Sequence, residues 1–177
     1  MERLRTRVSV LDRQRRHRST ARAIHRLLPE PESWLDVGTG DAHFPETAKE
    51  FFPYTSFDGL DPTTSVAYAR HAERIEEAFT GHVTDPHITT ILRARYDVVS
   101  LLRHRSPVPD ADKELRAALT VLRPGGLLLV ETPSLQSDEL RTRLDSHDCT
   151  IVATSRHVLG RFPQTYRVIA RRAPSAP

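Results

Sequence analysis

Cysteine is nearly absent from this chain: Cys149 stands alone among 177 residues, which rules out an internal disulfide or a cysteine-built zinc cluster within one chain. Long apolar runs are missing too. None approaches the roughly 18–20 residues of a membrane-spanning helix, and Met1 to Val10 lacks the apolar stretch of a secretory leader. The expectation is a soluble, cytoplasmic protein without membrane association. No glycine-lysine-serine/threonine phosphate loop occurs, which sets aside ordinary nucleoside triphosphate hydrolysis. Arginine stands in for lysine throughout. The first 28 residues hold nine arginines against Glu2 and Asp12, a local excess far above the net charge of +3. Such an arm can serve nucleic acid or an anionic surface. It carries no aromatic residue to stack on bases, however, and arginine bias runs through the whole chain, so a solvated arm is the expectation.

What is present suits one α/β domain, since domains usually take about 100–200 residues. We expect a basic arm over residues 1–18, frayed or helical, a domain over 19–172 and a disordered, proline-rich tail over 173–177. Ala21, Ile24, Leu27 and Leu28 recur at helical spacing before Pro29 and Pro31. Trp34-Leu35-Asp36-Val37 is a short apolar run ending at glycines, the pattern of a strand buried on both faces. Phe44 to Phe52 returns to helical spacing, and Ser56 to Asp61 supplies a second strand closed by Pro62. Thr63 to Ala78 reads as a thin amphipathic helix whose last turn is on the verge of strand, and 79–95 is undetermined. Tyr96 to Leu102 is a β-branched strand, and Asp110 to Leu122 a helix ended by Arg123-Pro124-Gly125-Gly126. Leu127 to Glu131 is a further buried strand and Asp138 to Leu144 a short helix. Cys149–Val158 and Thr165–Arg171 are two strands joined through Gly160 and Pro163. Alternation of strand and helix predicts a mostly parallel open sheet of α/β class with helices on both faces and a C-terminal antiparallel hairpin.

Asp36-Val37-Gly38-Thr39-Gly40 falls where a strand must turn into a helix, so the glycines permit the bend and close approach of a ligand. One strand-helix-strand unit later Asp61 ends the neighbouring strand, where its carboxylate can accept from ribose hydroxyls. A dinucleotide fingerprint would place glycine where His43 stands, and Asp36 and Asp41 flank the loop, which disfavours a pyrophosphate. A cationic ligand suits those carboxylates better.

The chain resembles class I S-adenosylmethionine-dependent methyltransferases, in particular those acting on small molecules. The likeness is carried by Leu35 to Gly40, Phe57 to Asp61, Tyr96 to Ser100 and Leu122-Arg123-Pro124-Gly125-Gly126-Leu127 to Glu131, across roughly residues 20 to 135. It implies S-adenosylmethionine as cofactor and a Rossmann-like sheet of seven strands, the last antiparallel. It implies that Asp36, Gly38, Thr39 and Gly40 approach the methionine part and that Asp61, with Pro62 beside it, holds the ribose. His82 and Val83 would border the adenine, with Leu102 beyond the fourth strand. Two departures stand out: Leu102-Arg103-His104-Arg105-Ser106-Pro107 is short and basic, and no insertion after Glu131 supplies a lid. A lid would come from the basic arm, a second subunit in a homodimer, or the substrate's own carrier.

Methyl transfer needs alignment and exclusion of water more than a dedicated base. His104 is the first candidate base because it follows the fourth strand into the crevice, although an exposed loop histidine between two arginines is the more ordinary reading. His43 adjoins the glycine turn, while His17 and His25 reach the site only if the arm folds back. His82, Asp85 and His87 are ligand-type side chains without a metal motif and are read as a polar loop. The expected acceptor is an oxygen or nitrogen of a small molecule. The alternatives are a nucleic-acid methyltransferase using the basic arm, although no Asp/Asn-Pro-Pro-Tyr/Phe motif follows the fourth strand, and a non-catalytic binding protein of the same fold.

Overall fold

The computed structural model describes residues 2–102, 110–133, 137–157 and 165–174. In chain order the elements are α1 (Glu2–His25), β1 (Ser33–Val37), α2 (His43–Ala48), β2 (Ser56–Asp61), α3 (Ser65–His71), β3 (Ala78–Thr80), α4 (Pro86–Ile91), β4 (Tyr96–Leu101), α5 (Ala111–Val121), β5 (Leu122–Pro133), α6 (Ser137–Ser146), β6 (Cys149–His157) and β7 (Thr165–Arg172). Seven strands form one sheet in the order β3-β2-β1-β4-β5-β7-β6. All the pairings from β3 to β5 are parallel, and β7 runs antiparallel to both of its neighbours. The expected architecture is therefore the observed one: a mostly parallel Rossmann-like α/β sheet with a C-terminal antiparallel pair.

Both sheet faces are covered, which is why the central strands read as continuous apolar runs. On one face Trp34, Phe57, Val98, Leu127, Leu129 and Ile169 pack with residues of α1, α2 and α3. Trp34 is fully buried, with ring centroids 5.5, 5.4 and 5.3 Å from Phe44, Phe52 and Phe57. Such contacts add about 0.5–1.5 kcal/mol each beyond area burial. On the other face Leu35, Leu60, Val99, Leu128 and Val168 pack with α4, α5 and α6.

Local boundaries differ from the sequence reading in four places, each for a physical reason. The first helix is far longer than Ser19–Leu28: α1 reaches back to Glu2, and its His17 and His25 pack against Phe44 and Phe52. The helix expected over 63–78 stops at His71, since Glu73 takes a left-handed φ of 58°. Residues 79–95 resolve into the last two residues of β3 and the short helix α4, capped by Asp85 accepting from the His87 amide at 2.8 Å. Arg123-Pro124-Gly125-Gly126 is not a separating loop: α5 passes directly into β5, with a register irregularity opposite Tyr96 and Val98 and Gly125 at φ 79°. The last carbonyls of α5 are met from elsewhere, as Arg172 Nη1 donates to Leu119 and Leu122 oxygens at 2.8 and 2.5 Å.

Candidate active site

The parallel strands β1, β2 and β4 end together, and a glycine turn follows β1. Gly38 and Gly40 have φ of 72° and 53°, values that glycine adopts without steric cost. The turn is tied to β2: the Gly38 and Thr39 amides donate to the Leu60 carbonyl at 2.7 and 3.3 Å. Arg74 braces it from outside by donating to the Asp41 carbonyl at 2.9 Å.

Asp61 completes the arrangement. Its Oδ2 accepts from the Gly40 amide at 2.9 Å, and its Oδ1 from the Thr63 amide and hydroxyl at 2.9 and 2.5 Å. A carboxylate has about four lone-pair sites, so three donors leave capacity for a hydroxyl of a bound ligand. The glycine turn and the β2 carboxylate thus share one cradle. A Cβ placed on Gly40 meets nothing within 4 Å, so the space beside the Gly40 Cα is open rather than filled by protein side chains. The Asp61 carboxylate beside that opening, with no cation of the described residues bonded to it, and the buried Asp36 carboxylate behind the turn fit an adenosyl group carrying a sulfonium and an amino group.

Asp36 lies behind the turn and is nearly inaccessible. Its Oδ1 accepts from Ser100 Oγ at 2.6 Å, and that hydroxyl accepts in turn from Trp34 Nε1 at 2.9 Å. Burial pushes the Asp36 carboxyl up from 3.8 to about 6, the Asp61 charge adds to the rise, and the Ser100 and Thr39 hydroxyls pull against it. A carboxylate raised by burial in this way is one whose charged form a nearby cation would stabilise.

Gly59 on β2 sets the position of the turn from below. A Cβ there would lie 2.8 Å from Thr39 Cγ2, 2.7 Å from Ile75 Cδ1 and 3.3 Å from Val66 Cγ2, so the Thr39 methyl packs against a strand that only glycine keeps flat enough.

Of the sequence-derived cofactor positions, Asp36, Gly38, Thr39, Gly40 and Asp61 come together at one strand edge, with exposed Pro62 next to them. Val83 is buried in the core on the α4–α6 face, His82 is exposed, and half-buried Leu102 packs on the α1–α3 face. His104 lies outside the described residues. His43 is part-exposed with Nδ1 3.5 Å from Glu46 Oε2, and His17 is buried edge-on to Phe44 at 5.6 Å. Ser100 and Trp34 escaped the sequence reading. A lone hydroxyl in Val98-Val99-Ser100-Leu101 was the available signal, because a buried serine in an apolar strand requires a partner.

A second polar cluster crowns the same sheet face. Thr20 of α1 donates to Glu131 Oε1 at 3.2 Å, and Arg167 Nε donates to the same oxygen at 2.9 Å.

Comparison with known proteins agrees with this geometry. The profile of a family described as a methyltransferase domain matches residues 11–173. No curated protein matches by sequence. Among solved structures, the fold is shared with 1,6-didemethyltoxoflavin-N1-methyltransferase of Burkholderia thailandensis, solved with 1,6-didemethyltoxoflavin and S-adenosylhomocysteine. Here the TM-score is 0.69 and the identity 20%, over 89% of this chain and 78% of that one. The N-methyltransferase NodS of Bradyrhizobium japonicum WM9 superposes with a TM-score of 0.73 and 12% identity, over 91% of this chain and 96% of that one. A variant of the 16S rRNA (adenine(1408)-N(1))-methyltransferase of Catenulisporales acidiphilia gives a TM-score of 0.64 and 15% identity, over 94% and 93% of the two chains. With a profile match spanning nearly the whole chain and the cradle at its expected place, the protein belongs to the methyltransferase-domain family, within the class I S-adenosylmethionine-dependent methyltransferases.

Proposed function

We propose that this enzyme methylates an oxygen or nitrogen of a small-molecule acceptor, in the cytoplasm. The observation that carries the reading is the cradle formed by the Gly40 amide and the Asp61 carboxylate, 2.9 Å apart, with open space beside the Gly40 Cα. S-adenosylmethionine supplies a methyl group already activated on a sulfonium, so what is asked of the protein is orientation and dryness. In this reading Asp61 accepts from ribose hydroxyls, Asp36 and the glycine turn face the methionine part, and Pro62, His82, Val83 and Leu102 flank the adenosyl group. His104 remains the proposed proton acceptor.

Two features favour a small acceptor over a nucleic acid. Part of the basic arm is committed to the fold: Arg18 forms a two-pronged pair with Glu50 at 2.8 and 3.1 Å, and Arg22 stacks on Phe51 at 5.5 Å. The arm also has a structural use. His17 sits against Phe44 at the start of α2 and His25 against Phe52 beyond its end, so this part of α1 runs parallel to α2 and its amino-terminal half projects past the carboxyl ends of the strands. Eighteen helical residues precede Thr20 in α1, about 27 Å at 1.5 Å per residue. In our reading this overhang is the cover over the acceptor, with no need for a partner subunit.

The test is transfer from methyl-labelled S-adenosylmethionine into a cell extract split into an ultrafiltered small-molecule fraction and a nucleic-acid fraction. Label in the small-molecule fraction supports the reading. Label confined to RNA or DNA, in a salt-sensitive manner, overturns it in favour of a nucleic-acid enzyme.

A further inference from the structure

Arg167 is 2% exposed, and its Nη2 is sealed from solvent without a hydrogen-bond partner among the described residues. Its charge is matched through Nε alone, by Glu131 Oε1 at 2.9 Å, with both side chains 3% exposed. Buried donors are almost always satisfied, because an unmade hydrogen bond in a dry site is costly. A guanidinium that spends Nε on its carboxylate and aims Nη2 at no protein acceptor is arranged for a ligand oxygen.

Its place in the fold says which ligand. The strands align Val37, Leu101, Val130 and Val168 in one row. One step further along lie Gly38, Leu102 and the directly paired Glu131 and Arg167. Strands are spaced about 4.8 Å apart, so Arg167 stands about 14 Å from the glycine turn, at the same height. Leu102 and Asp36 share this sheet face with Glu131 and Arg167, and α1 roofs the pair through Thr20. A group reaching from the cofactor cradle across β4 arrives at Arg167.

Resting on the methyltransferase reading, we propose that Arg167 Nη2 is the acceptor-recognising donor, and that it takes the carbonyl oxygen of a neutral acceptor. Glu131 sets that preference. An anionic acceptor would bring a second negative charge beside Glu131 in a desolvated site, whereas a carbonyl uses the donor without adding charge. Thr20 holds Glu131 from the roof.

The experiment uses the full chain loaded with S-adenosylhomocysteine and three probes: benzamide, the isosteric anion benzoate, and inorganic phosphate, titrated by ligand-observed NMR. Wild type is expected to bind benzamide at least about tenfold more tightly than benzoate, with no phosphate binding. Glu131→Gln frees the guanidinium charge and should reverse the preference towards benzoate. Arg167→Met alone strands Glu131 and risks misfolding, so the donor is removed in the double variant Glu131→Gln/Arg167→Met, which should bind neither aromatic probe. Binding of none of the probes by wild type, equal binding of benzoate or phosphate, or benzamide binding by the folded double variant overturns the proposal. Titration of the product cofactor alone keeps the two readings apart. If S-adenosylhomocysteine binds to all variants while the probe pattern fails, the acceptor inference falls and the cofactor site stands.

Discussion

The Gly40 amide donates to Asp61 Oδ2 at 2.9 Å, across 21 residues of sequence. This one bond fixes the ends of two parallel strands, and it sets the carboxylate at the mouth of the bend rather than inside the core. Thr63 holds the other oxygen through both its amide and its hydroxyl.

Loss of the Thr63 hydroxyl should therefore loosen the carboxylate without abolishing the cradle. Thr63→Val is expected to weaken S-adenosylhomocysteine binding by about 3–10-fold, the size of one hydrogen bond, with the midpoint of thermal unfolding little changed. Isothermal titration beside a thermal melt checks it, and an unchanged affinity would mean that Thr63 does not orient Asp61.

Asp36 links ligand binding to pH and to stability. Its carboxyl is held at about 6 in the folded chain against 3.8 unfolded, so between those values the folded state keeps a proton that the unfolded state has lost. Folded stability therefore falls as pH rises from about 4 to 6, by an amount on the order of 3 kcal/mol once both states are ionised. Asp36→Asn should remove that pH dependence and raise the urea midpoint at pH 7, while affinity for a cationic cofactor falls. A variant less stable than wild type at pH 7 would contradict the assignment of burial as the dominant cause.

Ser100→Ala removes the hydroxyl that lowers the Asp36 carboxyl and leaves Trp34 Nε1 without its acceptor. The expected result is a loss of about 1–3 kcal/mol in urea unfolding. The pH at which cofactor binding reaches half its maximum should also move upward. A stability loss with no movement of the binding profile would show that Ser100 serves Trp34 alone.

The sheet was legible because its strands are self-announcing. Trp34 to Val37, Tyr96 to Leu101 and Leu127 to Glu131 are apolar in a way only double-sided burial explains, and Gly38, Gly40 and Asp61 punctuate strand ends by local backbone requirements. The amino-terminal reach of α1 was hidden because its face is paid in pairwise contacts, His17 on Phe44 and Arg18 with Glu50, to residues 27 and 32 positions away. Arg123 to Gly126 end the helix as proline and glycine predict, but the segment is already strand, and Gly126 is needed there because a Cβ would lie 2.9 Å from the Asp97 carbonyl of the adjacent strand. The Glu131–Arg167 pair could not be read at all, since its register depends on the antiparallel return of β7.

Gly59 tests whether the turn is set by packing from beneath. Gly59→Ala forces its methyl into Thr39 Cγ2 and Ile75 Cδ1, an overpacking cost of about 1–3 kcal/mol. Ile75→Val removes the nearer obstacle and should restore part of the stability in the double variant, while cofactor affinity stays low if Thr39 remains displaced. Full recovery of affinity would show that the turn does not depend on the Thr39 contact.

Calorimetric titration of the folded chain with S-adenosylhomocysteine, beside Asp61→Ala, addresses the cradle most directly. We expect saturable one-to-one binding by wild type and a loss of at least about 30-fold in Asp61→Ala, the scale of removing charge-assisted hydrogen bonds. No heat of binding to a folded wild type, or equal affinity in the variant, would contradict it.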